Sequence, residues 1–236
     1  MKRFVFIGWV CVALLFRLVG AQTTAEETPV KEPLPPGPLV VAKMPNFSRW
    51  SIDFTYPSAK PAQPSASSDQ KNKPAPTDSP LRIVVTKTGD ITHEEKTFEN
   101  GATGELWSNH DTAAERIPNS PTLVAGFSNG PVGNAFSDFD WISKDNYVGN
   151  VMHNQVKCMV FKQSQYDFEG GFLGLATDYV DFKTHYPVEY NRNSASRVYT
   201  ILAPPTDQLV IPEEFLAAGK ALKDKLQKAT PHLAAP

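Results

Sequence analysis

Cysteine is scarce in this chain. There are two cysteines in 236 residues, and Cys11 lies in the apolar stretch at the front of the sequence. If that stretch is a leader that is removed, Cys158 stands alone and no disulfide can form within the mature chain. Small exported domains that cannot build a core depend on disulfides. This chain must therefore be stabilised by apolar burial in a single domain of ordinary size.

Blocks of basic residues and metal-ligand spacings are also missing. The 23 Lys and Arg residues are scattered against 25 Asp and Glu, so the formal net charge is −2. The five histidines form no His-x-x-x-His pair, and there is no Cys-x-x-Cys. We therefore predict no nucleic-acid partner, no metal site and no cofactor.

The first 21 residues are typical of a secretory signal peptide. Lys2 and Arg3 precede a compact apolar stretch from Phe4 to Phe16, and Val19-Gly20-Ala21 supplies small residues for cleavage. The stretch is shorter than the ~20 residues that span a bilayer. We predict a leader over 1–21, an exported protein that is periplasmic or extracellular, and no membrane span after cleavage. The alternative is an uncleaved N-terminal anchor. The leader carries three basic residues, so the mature chain has 20 against 25 acidic ones, or about −5.

Composition divides the rest of the chain. Residues 22–45 are rich in Pro, Glu and Thr, and we predict a disordered tether there. A single β-rich domain is predicted over 46–230, interrupted by a disordered Pro/Ser-rich insertion at 57–80. Residues 231–236 are predicted to form a flexible tail.

Short strands dominate the predicted domain. Apolar and polar residues alternate from Trp50 to Tyr56, which is the pattern of a half-buried strand. Asn100-Gly101 is a strong hairpin signal, and His153-Asn154-Gln155 is short enough for a second hairpin. Further strands are predicted at 81–86, 91–98, 103–107, 122–127, 147–152, 156–162, 176–182 and 197–202. Tight turns without intervening helices favour an antiparallel meander: a curved sheet or incomplete barrel in a mainly β fold.

One helix is predicted at the C-terminal end. Pro212 suits a first helical position, and Glu213 and Glu214 follow in the first turn, where carboxylates complement the helix dipole. One face repeats at spacings of three and four, with Phe215, Ala218, Leu222, Leu226 and Ala229. We predict that this helix closes one face or mouth of the sheet. The alternative is an amphipathic helix for a partner or a membrane.

A serine-hydrolase motif is present but lacks its structural context. Gly126-Phe127-Ser128-Asn129-Gly130 matches the Gly-x-Ser-x-Gly nucleophile elbow, in which a strand turns sharply into a helix. Pro131 and Gly133 follow at once, so no helix is predicted. Asp178 and His185 would complete a Ser-Asp-His order. We keep a serine hydrolase as a remote alternative, and we predict a non-enzymatic protein because no catalytic constellation is convincing.

The remaining polar candidates are weak. Asp138 and Asp140 flank Phe139, and Asp178 is followed by Asp181, but their spacings fix no catalytic separation. We predict solvated loop or turn positions for these carboxylates. Cys158 lies in an apolar strand and is predicted to be a buried hydrophobe.

Two Gly- and Asp-containing segments carry unusually many large apolar side chains, Phe136 to Trp141 and Tyr166 to Leu175. Their rings either plug the ends of the sheet or line an apolar pocket or binding face. On the second interpretation the predicted ligand-binding residues are Phe139, Trp141, Phe168, Phe172 and Leu175.

The late part of the sequence resembles a known family. Trp141–Gly149 leads into Cys158–Phe161, and Tyr179–Val188 is followed by Tyr199–Leu202. This order resembles the C-terminal strands of periplasmic lipoprotein-carrier proteins of the LolA type, and also many exported bacterial proteins of unknown role. The resemblance covers about a third of the chain. It implies an incomplete barrel with an apolar hollow for acyl chains, although the carriers begin with a helix where this chain begins with a strand at Trp50.

Two functions of different classes follow. The preferred prediction is an exported, non-enzymatic binding protein that holds a lipid or another apolar small molecule in its curved sheet. The alternative is an extracytoplasmic structural or protein-interaction domain that uses the aromatic segments on an envelope protein partner.

Overall fold

The computed structural model describes residues 28–41, 43–56, 79–128, 136–166, 170–192 and 195–229. The predicted leader, most of the predicted insertion and the predicted tail lie outside these ranges. Within them the chain forms eleven strands and one α-helix. These are β1 (Phe47–Thr55), β2 (Pro80–Thr88), β3 (Ile91–Phe98), β4 (Thr103–Ser108), β5 (Thr112–Arg116), β6 (Leu123–Phe127), β7 (Tyr147–His153), β8 (Val156–Tyr166), β9 (Phe172–Asp181), β10 (Pro187–Arg192), β11 (Ala195–Leu202) and α1 (Glu213–Ala229).

All the strands belong to one antiparallel sheet with the order β6-β5-β4-β3-β2-β1-β11-β10-β9-β8-β7. The chain meanders from β1 to β6, crosses to the far edge at β7, and meanders back until β11 pairs with β1. Two successive strands, β6 and β7, are therefore the two edges of an open sheet. The predicted fold class, mainly β with an antiparallel sheet and a C-terminal helix, is confirmed.

The hairpins form where local chemistry favours them. Gly101 has a φ of 76°, and the Ala102 amide donates to the Asn100 side chain at 2.9 Å, which closes the β3–β4 turn. Asn154 and Gln155 both have positive φ and join β7 to β8. Both predicted hairpins are confirmed. The sequence analysis missed β5 and β10, whose polar composition hides the strand pattern.

The sheet carries two separate cores on opposite faces. Trp50 pairs with Val85, and the line of cross-strand partners continues from Val85 through Glu94 to Leu106. Neighbouring residues of a strand point to opposite faces, so Trp107 faces away from Trp50. We call the Trp50 side the aromatic face and the Trp107 side the helix face.

The helix face is covered by α1 over strands β5 and β6. Phe215 lies 6.3 Å from Trp107 between ring centroids, and Ala114 is buried beside them. Gly219 is also buried in this contact. Leu226 and Ala229, which were predicted on the buried side, are exposed because the second half of the helix makes less contact with the sheet. No helix in the described ranges is long and apolar enough to cross a membrane.

The aromatic face is covered by irregular chain instead of a helix. The β6–β7 connection contributes two short 3-10 turns, Ser137–Phe139 and Lys144–Asn146. Leu34, Leu39 and Val40 of the N-terminal segment pack beside it. We call residues 28–45 and 136–146 together the cover, with Ala42 outside the described residues.

The N-terminal part of the cover differs from the disordered tether expected over 22–45. Val30 exchanges two backbone hydrogen bonds of 2.8 Å with Asn150 at the β7 edge. Lys157 donates to Glu32 at 2.7 Å, and the Tyr147 hydroxyl donates to the Glu32 carbonyl at 3.0 Å. An unpaired strand edge offers hydrogen bonds to an extended segment, and Pro-rich chain loses less entropy when it is fixed. Amino-acid composition alone reveals neither the hydrogen bonds at the strand edge nor the smaller entropy cost.

The close approach of α1 to β5 generates a stability prediction. A Cβ added at Gly219 would lie 2.7 Å from Thr112 Oγ1 and 3.2 Å from Thr112 Cβ. We expect Gly219→Ala to destabilise the protein by about 1–3 kcal/mol, because overpacking outweighs the ~1 kcal/mol that alanine gains in a helix. Urea unfolding followed by circular dichroism measures the change.

The matched control shortens the Thr112 side chain. In the Thr112→Ala background, Gly219→Ala should cost much less, because the 2.7 Å contact with Thr112 Oγ1 is gone and only the 3.2 Å contact with Cβ remains. A Gly219→Ala effect of the same size in both backgrounds would show that the Thr112 contact does not limit the helix approach.

Candidate functional site

The aromatic face holds a connected set of rings beneath the cover. Phe136 meets Trp50 and Tyr199 edge-on at centroid distances of 6.1 and 5.7 Å. Phe139 meets Tyr199 at 5.3 Å and Tyr190 at 6.4 Å. Phe136 and Phe139 are both almost fully buried. The cover is thus fixed to the sheet chiefly by two rings from one 3-10 turn.

A polar contact fixes the same turn. Asp138, between the two rings, accepts a hydrogen bond from the Arg197 guanidinium and another of 2.7 Å from the Tyr199 hydroxyl. The guanidinium also lies 5.6 Å from the ring centroids of Phe54 and Tyr190. Burial raises the pKa of Tyr199, and the Asp138 charge raises it further, so the phenol keeps its proton.

Asp178 is the most unusual group of the aromatic face. It projects from β9 between its cross-strand neighbours Phe161 on β8 and Tyr190 on β10. The residue is 0% exposed, and both carboxyl oxygens lack a hydrogen-bond partner among the described residues. Buried polar groups are almost always partnered, so this carboxyl requires an explanation.

Burial raises the pKa of Asp178 to about 9, and the nearby negative charge of Asp138 adds to the shift. The Trp141 indole opposes the shift weakly, but its N–H lies outside normal hydrogen-bond geometry with the carboxyl. Asp178 is therefore protonated and neutral at pH 7. A neutral acid in a dry aromatic site can both donate and accept, but here it does neither.

A cavity of about 280 Å³ lies within the cover, and Asp178 and Trp141 are not part of its lining. Phe139 belongs both to its wall and to the ring set over Tyr190 and Tyr199. The lining residues are Leu39, Val40, Val41, Phe136, Phe139, Asp140 and Ile142. The lining is mostly apolar, as in sites for small lipophilic ligands.

The structure brings together only part of the predicted ligand-binding set. Phe139 is buried, and Trp141 packs against the same core. Phe172 and Leu175 are 65% and 46% exposed and lie on the opposite face of β9 from Asp178. Phe168 lies outside the described residues.

Sequence reasoning missed four groups of the site: Phe136, Asp178, Arg197 and Tyr199. The prediction of solvated positions was wrong for Asp178, which is fully buried, and for Asp138, which is half-buried in an ion pair. The signal for Asp178 was present, because it shares a period-two face with the buried Ala176 and Val180. Asp181 does cap a turn, and accepts from the Lys183 and Thr184 amides.

The residues of the remote hydrolase alternative are distributed over the sheet. Ser128 follows β6 at one edge, whereas Asp178 is on β9 and His185 follows β9, with seven strands between β6 and β9 in the sheet order. The motif residues Asn129 and Gly130 lie outside the described residues. Ser128 instead lines an open groove of about 560 Å³ that also contains the exposed His110–Asp111 pair. Lys223 donates to Asp111 at 2.7 Å across this groove.

Cys158 is confirmed as a buried hydrophobe. It is 0% exposed, and burial raises the pKa of its thiol to about 12. A thiol in that state is not a nucleophile near neutral pH. In the part of the chain that the structure covers, no group of three His, Cys, Asp or Glu residues is arranged to hold a metal ion.

Comparison with known proteins adds no assignment. A scan against protein-family models finds no match to this chain. A search of curated proteins also finds no match. The resemblance to the lipoprotein carriers therefore stays a prediction.

The two carboxylates of the site generate opposite stability predictions. Folding raises the pKa of Asp178 from its ordinary value of about 3.9 to about 9. At a pH between these values the carboxyl binds a proton when the protein folds, so the protein loses stability as pH rises through that window. Asp178→Asn removes the ionisable group. We expect it to stabilise the protein at pH 7 by roughly 4 kcal/mol, about 1.4 kcal/mol for each pH unit above 3.9.

Chemical denaturation between pH 4 and pH 9 tests this. The wild type and Asp178→Asn should agree near pH 4 and diverge steadily above it. Asp138→Asn is the matched control and should destabilise by about 1–3 kcal/mol at pH 7, since it weakens the bonds to Arg197 and Tyr199. Parallel pH profiles for the wild type and Asp178→Asn would show that the Asp178 carboxyl is not buried as described.

Proposed function

We propose that this chain is an exported, non-enzymatic binding protein that holds an apolar small molecule or lipid between the aromatic face of its sheet and the cover. The observation that carries the proposal is the construction of the cover. It closes over an aromatic face, and its own residues line a mostly apolar cavity of about 280 Å³. The predicted leader supports export, and the resemblance to the lipoprotein carriers supports an apolar ligand.

The cover is attached in a way that suits ligand entry. Among the described residues, it is held by one isolated bridge at Val30, by the backbone hydrogen bond from Val41 to His185, and by side chains such as the Asp138–Arg197 pair. Strands held by continuous ladders open only at high cost, whereas segments with few backbone bonds open locally. Residues 136–146 can therefore move without unpairing the sheet.

An enzymatic function is less well supported by these contacts. The groups that are within reach of one another on the aromatic face are a neutral buried acid, an ion-paired carboxylate and two phenols. No activated nucleophile is present among them.

A second function is favoured by the far end of the β8–β9 hairpin. The ring of Tyr166 contacts that of Phe172 at 5.8 Å, and both are at least 60% exposed. Leu173 and Leu175 are also exposed there. An exposed apolar patch marks a contact surface for a partner, which is the interaction-domain alternative. Cross-linking in the native envelope would distinguish it, because Phe172→Ser should remove a dominant partner and leave ligand binding unchanged.

The binding proposal predicts that filling the cavity removes the ligand. Val40 is half-buried and lines the cavity. We expect Val40→Phe to reduce retained lipid, measured by mass spectrometry of the purified protein, by about tenfold. This corresponds to ~1.4 kcal/mol of lost binding. Saturable binding of a hydrophobic dye should weaken in parallel.

Val210→Phe is the matched control, because Val210 is 78% exposed and away from the cavity lining. It should retain the wild-type amount of ligand. Wild-type protein that is purified without any bound lipid and shows no saturable dye binding would contradict the proposed function.

A further inference from the structure

The aromatic face has more acidic than basic groups at its centre. Asp138 and Asp178 both project into it, and Arg197 is the cation that meets them. The Arg197 guanidinium is committed to Asp138 and lies over two rings. Among the described residues, no Lys, Arg or His forms an ion pair with Asp178. The site therefore has two carboxyl groups and one resident positive charge.

A partner that ionises Asp178 has to donate hydrogen bonds and carry a positive charge. Both oxygens of Asp178 are buried and unpartnered. An ionised carboxylate accepts several hydrogen bonds, and a primary ammonium group donates three. A carboxylate or phosphate in this position would be repelled by Asp138. A hydroxyl brings no positive charge and would leave Asp178 protonated.

The walls around Asp178 also favour a cation. Phe161 and Tyr190 flank it on the neighbouring strands, and the Trp141 indole approaches it from the cover. Aromatic faces attract cations, most strongly where water is excluded. The same wall already supports a cation, since Arg197 lies 5.6 Å from the Tyr190 ring centroid.

A single ring connects the cavity with this acid. Phe139 lines the cavity and contacts Tyr190, which is the cross-strand partner of Asp178. Asp178 itself is not part of the cavity lining, so a ligand whose tail lies in the cavity reaches the acid only when Phe139 turns aside. The apolar lining and the acid then belong to one elongated site.

We propose that the ligand of the aromatic face carries a primary ammonium group that pairs with the buried carboxylate of Asp178, while its apolar part occupies the cavity. This inference rests on the proposed function and specifies its ligand. On binding, Asp178 releases its proton to solvent and the ammonium takes its place. The other titratable or charged groups facing the site are Asp138, Asp140, Arg197, Tyr190 and Tyr199.

Three probes with the same octyl chain test the inference: octylamine, octanol and octanoate. Isothermal titration of the full mature chain at pH 7 should show octylamine binding at least about tenfold tighter than octanol, a difference of ~1.4 kcal/mol. Octanoate should bind most weakly. Repeating the octylamine titration in buffers of different ionisation enthalpy should show proton release, which octanol should not cause.

Two variants test whether Asp178 causes the preference for octylamine over octanol. Asp178→Asn should lose the advantage of octylamine over octanol and keep the octanol affinity, and it should remain folded because it removes a buried ionisable group. Asp145→Asn is the control at an exposed carboxylate of the cover that does not line the cavity, and it should keep the full preference. Equal binding of the three probes, or a preference that survives Asp178→Asn, would overturn the inference.

The failure of this inference is distinguishable from that of the proposed function. If octanol binds and octylamine gains nothing, the protein binds apolar ligands and the ammonium assignment is wrong. If none of the probes binds the wild type, both proposals fail. If octylamine is preferred, native mass spectrometry with lysophosphatidylethanolamine and lysophosphatidylglycerol distinguishes the two sources of the amine, a lipid head group and a free alkylamine. Selective binding of lysophosphatidylethanolamine indicates an amine in a lipid head group, and binding of octylamine alone indicates a free alkylamine.

Discussion

The two faces of an extended strand must each be covered, and this constraint shapes the whole molecule. Eleven strands in one open sheet present two broad surfaces, and the described chain has one helix to cover them. That helix protects the Trp107 side at β5 and β6. The opposite surface has to be covered by irregular chain, which is why Phe136, Phe139 and the N-terminal leucines lie where they do.

Irregular cover has a different physical character from a helix. A helix satisfies its own backbone hydrogen bonds, whereas irregular segments need partners at caps, edges and side chains. Here those partners are Asn150 at the β7 edge, Arg197 in the sheet, and the carbonyl of His185, which accepts from the Val41 amide at 2.9 Å. The cover is consequently fixed at a few separate points. A cavity remains between them, and a ring or carboxyl beneath the cover can lack a close-packed or hydrogen-bonded neighbour.

The sequence was sufficient for the elements whose own residues determine them. The alternation in β1, the Asn100-Gly101 turn and the acidic first turn of α1 each depend on local chemistry, and each was predicted. β5 was missed because its sequence, Thr-Ala-Ala-Glu-Arg, suits the packing of α1 and lacks large apolar residues at alternate positions. Its small side chains allow Gly219 of α1 to approach. β10 was missed because it begins at Pro187, beside a register shift, and continues through polar residues.

The site was harder to predict than the fold because it depends on register. Asp138 is ordinary in its own segment and becomes part of the site only when the crossover places it above β11. Asp178 could be assigned to a buried face by its spacing from Val180, but not to a position between Phe161 and Tyr190, which requires the pairing of three strands. The aromatic segments were correctly singled out as unusual. Only the first of them reaches the centre of the sheet, since the second lies at the end of a hairpin that extends beyond its neighbours.

The burial of Asp178 also connects stability with binding. A carboxyl kept neutral in the free protein destabilises it at pH 7 by several kcal/mol, which is a large fraction of the ~5–15 kcal/mol that stabilises a typical domain. A counter-ion that enters the site removes much of that penalty, because the ionised form then has a partner and can accept from Trp141 as well. The free energy lost in the empty protein is therefore available to any ligand that restores the charge balance. In the proposed binding mode, an apolar ligand without a charge gains only from the cavity, so the carboxyl would make the site selective without adding any contact to the apolar wall.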